Sequence, residues 1–414
     1  MKTNKVGVLE KTKRTLLIKD ISQLLTIRGK TLGIIEDAFL LIKDGKIFSY
    51  GRKEKLPRAK KMKTISAQNS VVLPGFVDCH THLVFAGTRE KELEARFLGK
   101  SYKEITEKKE GGILYTVEKT RSSSSAELLA KAKERIKECI KWGTTTVEIK
   151  SGYGLDTENE LKILRLIKHL QKEEDITIIP TFLGAHFIPP EKKKEDYIKE
   201  ILEEMLPKVA KEKLAVFCDV FCEKAVFNPQ EAERILQAGK RYGLLPKIHA
   251  DELERSGGTE VGVKVGAISC EHLIYPSKNG LEGMAKKKIV AVLLPSTSLF
   301  LGTEAKPPIK EMRRLGIPLA LGSDFNPGTS PLNKMPIVIA LATFLYHLTM
   351  EEAIIGATLN SAKALKMEKR VGSIEKGKDG DVLILNVPDY RFLFYNFGAN
   401  PVKVVIKRGK IING

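Results

Sequence analysis

The sequence predicts an α/β protein, a (β/α)8 TIM barrel that carries a small β-sandwich domain built from both termini. Three observations predict it. Between Leu73 and Ser323, eight short apolar runs are separated mostly by amphipathic stretches, the pattern of parallel strands joined by helices. Metal-ligating residue types close several of those runs. Both flanks instead hold short strand-like segments with few helix patterns. The expected division is 1–72 for the first part of the small domain, 73–370 for the barrel and 371–414 for the second part of the small domain.

The elements follow in order. In residues 14–72 the segment FLLIKDGKIFSYG has Asp44-Gly45 as a hairpin turn. The run VVLPGFVD reads as a buried strand, apolar at Val71, Val72, Phe76 and Val77, with Pro74-Gly75 marking its start. SSAELLAKAKERIKECIKWG opens with capping chemistry, sets Leu128, Leu129, Ala132, Ile136 and Ile140 on one side, and stops at Gly143. TENELKILRLIKHL behaves the same way. After the run near Leu73–Asp78, further strands are expected near 144–149, 176–182, 214–221, 245–249, 267–271, 289–294 and 318–323. In the tail, DVLILN and PVKVVIKRGKIING are strand-like, with Arg408-Gly409 as their turn. Isolated hairpins are marginal in water, so the two ends are expected to bury each other.

The segment GFVDCHTHL places His80 and His82 at a strand's carboxyl end. Alternate residues of a strand face the same way, so both imidazoles can reach one ion. LLPKIHADE ends a run in His249 and GIPLALGSDFNPG ends another in Asp324. Three imidazoles and one carboxylate suit one divalent ion, Zn2+ or iron (Fe2+/Fe3+), with a coordination position left open for catalysis. Glu252 follows His249 by three residues, and His272 closes the strand ending SCEH. Hydrolysis at such a centre needs a base for water and a donor for the developing oxyanion, tasks that Asp324, Glu252 and His272 can divide.

At 414 residues, with 42% hydrophobic and 7% aromatic content, the chain is long enough for a large barrel and a small domain. It has no run of eighteen apolar residues and no secretory-type N-terminus, so a cytoplasmic protein without a membrane partner is expected. The five scattered cysteines, at 79, 139, 218, 222 and 270, argue against a disulfide scaffold, and the Cys218/Cys222 pair reads as ordinary thiols. The net charge of +19 comes from lysines interleaved with acids along helices. That pattern excludes a recognisable nucleic-acid module and leaves a field that draws in a small anionic substrate. A homodimer is expected as the commonest arrangement of soluble enzymes.

The order H-x-H, H-x-x-E, His, Asp resembles the mononuclear branch of the amidohydrolase superfamily, whose members join a metal-bearing barrel to a β-sandwich from both termini. No lysine is obviously placed as a carbamylated bridge, which favours one metal. GFVDCHTHLVFAGTRE, KEGGILYTV, GTTTVEIKSGYGL, TFLGAHFIPPE, KIHADE and SDFNPGTSP resemble the signature segments of its imidazolone-opening branch over nearly the whole chain. The resemblance implies hydrolysis of 4-imidazolone-5-propanoate to N-formimidoyl-L-glutamate. It implies that Arg89 binds the propionate, that Tyr153, His186 and Glu252 contact substrate, and that Asn326, Gly328 and Thr329 hold the carboxylate formed. It also implies a lid over 100–116 with Tyr102 at the substrate, in a region where KKEGGILYTV is crowded with charge. A deaminase of an amino-substituted heterocycle is the first alternative, and a non-catalytic scaffold the second. Arg89 separates the first, because a neutral base needs no carboxylate clamp; the complete ligand set separates the second.

Overall fold

The computed structural model describes residues 15–56, 62–99 and 111–414. Eight parallel strands follow one another around a barrel: β6 (Phe76–Asp78), β7 (Thr144–Lys150), β8 (Thr177–Ala185), β9 (Phe217–Cys222), β10 (Leu245–Ala250), β11 (Ser269–His272), β12 (Val290–Leu293) and β13 (Leu319–Leu321). A parallel bridge between Thr81 and Phe325 brings the first and last strands together, with the His82 and Asp324 amides donating across the seam to Phe325 O and His80 O at 2.9 Å each. Two predicted ligands therefore sit on the closure itself.

The helix patterns are realised. Ser125–Lys141 begins at a capping box between Ser124 and Glu127 and buries Leu128, Ala132, Ile136 and Ile140, while Leu129 is only partly covered. Thr157–Glu173 is capped by Asp156, whose carboxylate accepts from the Asn159 amide. None of the helices in the described residues is long and apolar enough to cross a membrane.

Both termini build one mixed sheet from β1 (Thr15–Leu25), β2 (Ile34–Lys43), β3 (Lys46–Arg52), β4 (Lys63–Ser66), β5 (Val71–Pro74), β14 (Val382–Leu385), β15 (Val402–Lys407) and β16 (Lys410–Asn413). Strand β5 is the splice, parallel to β1 on one side and antiparallel to β14 on the other. Alternate residues serve two cores: Val72, Val382, Ile384 and Ile406 pack inside this domain, whereas Leu73, Leu383, Leu385 and Val405 join the barrel's core. Burial on both faces explains why these strands read as unbroken apolar runs. Asp44-Gly45 and Arg408-Gly409 both turn with positive φ, as tight hairpins require.

The VVLPGFVD run is two strands rather than one. Val71–Pro74 belongs to the terminal sheet and only Phe76–Asp78 to the barrel. The break falls at Gly75, where an added Cβ would lie 2.2 Å from Thr145 Oγ1, so the chain passes β7 too closely for any side chain. Nearby, Lys407 stitches the two units, its buried ammonium contacting Asp381 and donating to Thr145 O at 2.9 Å.

Removing one partner of such a buried pair leaves an uncompensated charge. Lys407→Met is expected to lower unfolding free energy by about 3 kcal/mol, read from the denaturant midpoint. An unchanged midpoint would mean that the pair does not hold the units together.

Candidate metal and substrate site

The mouth of the barrel gathers the predicted residues around His80. Its Nε2 lies 3.3 Å from Asp324 Oδ1, and His82 Nε2 lies 3.5 Å from the same oxygen. The His80 ring centroid is 4.6 Å from that of His249 and 5.6 Å from that of His272. Among the donor triads that contain His80, one joins it to His82 and His249 and another to His272 and Asp324. Donors bound about 2.1 Å from one ion at tetrahedral corners lie about 3.4 Å apart, which matches the spacing around Asp324. Nε2 of both His80 and His249 is buried with no hydrogen-bond partner among the described residues. Buried ring nitrogens in that condition are what an ion would satisfy, so the cluster suits one divalent metal.

The other nitrogens are anchored from below. His80 Nδ1 contacts Glu271 Oε2, and His249 Nδ1 lies 3.1 Å from Asp219 Oδ2. These contacts fix each imidazole with Nε2 upward. Beneath them, Lys150 Nζ sits 2.8 Å from Asp219, 2.9 Å from Glu148 and 3.0 Å from Glu271, while Lys247 Nζ sits 2.8 Å from Glu271 and 3.3 Å from Glu148. All five side chains are fully buried. Burial favours their neutral forms, yet the three carboxylates hold the Lys150 ammonium well above its ordinary pKa. Neither lysine is placed to carry a carbamate, since each already pairs as a cation. With Asp324, four carboxylates face two ammonium groups, and the two remaining negative charges match a divalent cation.

Sequence reading passed over this floor. Its signal is charge at alternate, inward positions of apolar strands: Glu148 and Lys150 in TTTVEIK, Lys247 two before His249, and Glu271 beside His249 in register. Thr297 was also missed. Its hydroxyl donates to Asp324 Oδ2 at 2.6 Å, leaving Oδ1 toward the histidines.

Above the metal cluster opens a cavity of about 520 Å3 lined by His82, Arg89, Tyr153, His186, His249, Glu252, His272, Asp324, Asn326 and Thr329 together with apolar side chains. His80 lies below it and Gly328 behind Arg89. Glu252 Oε2 is 3.4 Å from His272 Nε2. Burial and the charges of Asp324 and Glu223 push the Glu252 carboxyl well above its usual range, and burial keeps His272 neutral. His186 stacks on His82 at 4.8 Å and bonds Gly152 O through Nδ1. The loop bearing Tyr153 is tied down by Glu160, which accepts from the amides of Gly152, Gly154 and Leu155.

Arg89 donates Nε to Glu92 at 2.6 Å, and Glu92 also receives Arg96 Nη2 and the Gly112 amide. The guanidinium lies over Gly328, where a Cβ would come within 2.1 Å of Nη1. That contact is the reason for glycine there. The turn after Asp324 closes on itself: Gly328 N and Thr329 N both donate to Asn326 Oδ1, at 2.9 and 2.8 Å. This Asx turn also engages the Asn326 side-chain amide, whose Nδ2 donates to Asp324 O at 2.7 Å and to Thr329 Oγ1 at 2.9 Å, and Asn326 and Thr329 line the cavity. Tyr102 and residues 100–110 of the expected lid lie outside the described residues, and Gly112–Ser122 is helical.

The amidohydrolase family model matches residues 71–412. The imidazolonepropionase of Clostridium tetani is 44% identical, over 97% of this chain and 98% of its own. That of Shouchella clausii is 42% identical, over 96% and 92%. Among solved structures, an adenosine deaminase from Xanthomonas campestris with bound zinc shares the fold, at TM-score 0.70 and 17% identity, covering 96% of this chain and 92% of that one.

His80 sets a pH dependence. Burial lowers its pKa, but Glu271 and Asp324 outweigh burial and raise it to about 9 in the metal-free protein. At neutral pH an incoming ion must then displace a proton, so affinity is expected to strengthen up to about tenfold per pH unit between pH 7 and 9. Chelator competition across that range checks it, and a flat profile refutes it. Metal analysis of the purified protein is expected to give about one equivalent, with His249→Ala losing the metal and keeping the fold.

Proposed function

The chain belongs to the amidohydrolase family, and we propose that within it the protein hydrolyses the ring of 4-imidazolone-5-propanoate to N-formimidoyl-L-glutamate. The observation that carries this reading is end-to-end similarity to imidazolonepropionases, 44% over 97% of the chain, joined to a cavity that has a metal cluster at its base and Arg89 in its wall.

A divalent ion, zinc or iron, on His80, His82, His249 and Asp324 supplies Lewis acidity at the reacting carbonyl oxygen. The chain's own groups do the rest. Arg89, aimed by Glu92, binds the propionate through a charge-assisted pair. Tyr153 and His186 wall the ring, with His186 held by Gly152 O. Glu252 takes a proton from water as the water oxygen bonds to the ring carbonyl carbon, and returns it to the ring nitrogen as the carbon-nitrogen bond breaks. Burial and neighbouring carboxylates raise its pKa, which suits a carboxyl that must return a proton as well as accept one. His272, neutral and beside Glu252, steadies the developing oxyanion. Asn326 and Thr329, which line the cavity, are assigned to the new carboxylate.

Deamination of a neutral heterocycle would leave buried Arg89 without a counter-charge on its substrate, and a scaffold would have no use for a complete donor set. We place the enzyme in the cytoplasm as a homodimer acting on a small anion. Five free, buried cysteines accord with a reducing compartment.

Metal-loaded protein given freshly generated imidazolonepropionate should abolish the ring chromophore; release of ammonia from aminated bases instead would favour the deaminase. Arg89→Ala is expected to lower kcat/KM by about 100-fold or more, with Arg89→Lys recovering only part because the planar fork is gone. Glu252→Gln is expected to keep its metal and lose about 100-fold in kcat. Loss of metal in that variant would make Glu252 a ligand instead.

A further inference from the structure

Glu223 stands one residue beyond β9, outside the cavity lining, and is only 2% exposed. Its Oε1 accepts two backbone hydrogen bonds, from Glu252 N at 2.7 Å and Leu253 N at 3.0 Å. Those amides lie just after Asp251, which turns through the left-handed region at φ 53°. The downstream half of the same loop is held separately: Asp251 accepts from the amides of Ser256, Gly257 and Thr259, and Ser256 Oγ donates to Cys222 O at 2.7 Å. Glu223 takes both amides of the stretch that carries Glu252, while on the other side of the Asp251–Glu252 peptide Tyr275 N donates to Asp251 O at 2.9 Å. Two residues past Glu223, Ala225 and Val226 line the cavity beside Leu253. One carboxylate oxygen thus joins the loops after β9 and β10 into a single wall.

We propose that Glu223 is a positioning residue for the hydrolysis, setting the height of the Glu252 carboxylate through the two amides that its Oε1 receives. Turning through a left-handed residue, the loop forms no strand bonds there, so without an acceptor the Glu252 and Leu253 amides would be left unpaired or would turn outward to water. Either outcome moves Glu252, and a shift of about 1 Å in a proton-transfer group is enough to slow the reaction about 100-fold. The inference rests on the role assigned to Glu252 above.

The test uses the metal-loaded full chain and separates tether from charge. Glu223→Gln keeps the accepting oxygen and is expected to stay within about threefold of wild-type kcat, whereas Glu223→Ala is expected to lose at least about tenfold in kcat with metal content unchanged. Hydrogen exchange in a peptide spanning 250–257 should speed up in the alanine variant and not in the glutamine variant. In a Glu252→Gln background, Glu223→Ala should add little further loss, because both act through one group. Full kcat in Glu223→Ala, an equal fall in Glu223→Gln, or an undiminished effect in the double variant each overturns the proposal. Should Glu223→Ala fail to fold, Glu223→Asp shortens the reach by one methylene; it is expected to lose turnover while Glu223→Gln keeps it, and full turnover in Glu223→Asp overturns the proposal. A fully active Glu252→Gln would instead refute the assigned role of Glu252, a separate failure.

Discussion

Five fully buried charged side chains at the bottom of the barrel are the constraint on which the rest of the site depends. Isolated, each charge would cost several kcal/mol to bury, so the arrangement survives only because Lys150 and Lys247 each touch more than one carboxylate and Glu148 and Glu271 each touch both lysines. Such a lattice has little freedom. Moving Asp219 or Glu271 would take a partner from at least one lysine, so the nitrogens of His80 and His249 that rest on them are fixed in height and orientation. The metal cluster is therefore preorganised from beneath, and its charge is set by the same residues. The two negative charges left over, Asp324 included, are what a divalent ion neutralises.

Much of the barrel was legible because its signal is local. Apolar runs of five to eight residues, capped amphipathic helices and strand-terminal histidines can each be read in a short window, and the four proposed ligands do converge. The VVLPGFVD run misled because burial on both faces looks the same whether one strand or two supply it; only the near contact of Gly75 with Thr145 separates them. The floor was illegible for a different reason. Glu148, Asp219, Lys247 and Glu271 come from four strands, and a lone charge in an apolar run says nothing until the barrel closes and supplies its partners. The resemblance to a known family identified rim residues but not their state: Asn326, Gly328 and Thr329 were recognisable as a turn, while the direction of the Gly328 and Thr329 amides is a matter of backbone geometry.

The rim obeys a different rule from the floor. Here single carboxylates hold loops by collecting backbone amides: Glu160 for the loop of Tyr153, Asp251 and Glu223 for that of Glu252, and Glu92 for Arg89 and the Gly112 amide. Strand ends supply only some of these partners, because the chain leaves the sheet through left-handed residues at Asp251, His272 and Asp324. A carboxylate with two acceptor oxygens and several lone pairs can replace the missing ladder bonds.

This division assigns chemistry and specificity to different parts of the fold. The floor and the seam between β6 and β13 hold the ligands and would serve any hydrolytic reaction at one metal. In the proposed reaction, selection of an anionic substrate falls to Arg89, whose place depends on Glu92 pairing with its Nε and on Gly328 leaving the space beside its Nη1 open. A side chain at position 328 would push the guanidinium out of the cavity without touching a ligand. Substrate choice can therefore be lost at the rim while the metal centre stays intact, whereas a lesion in the floor removes both.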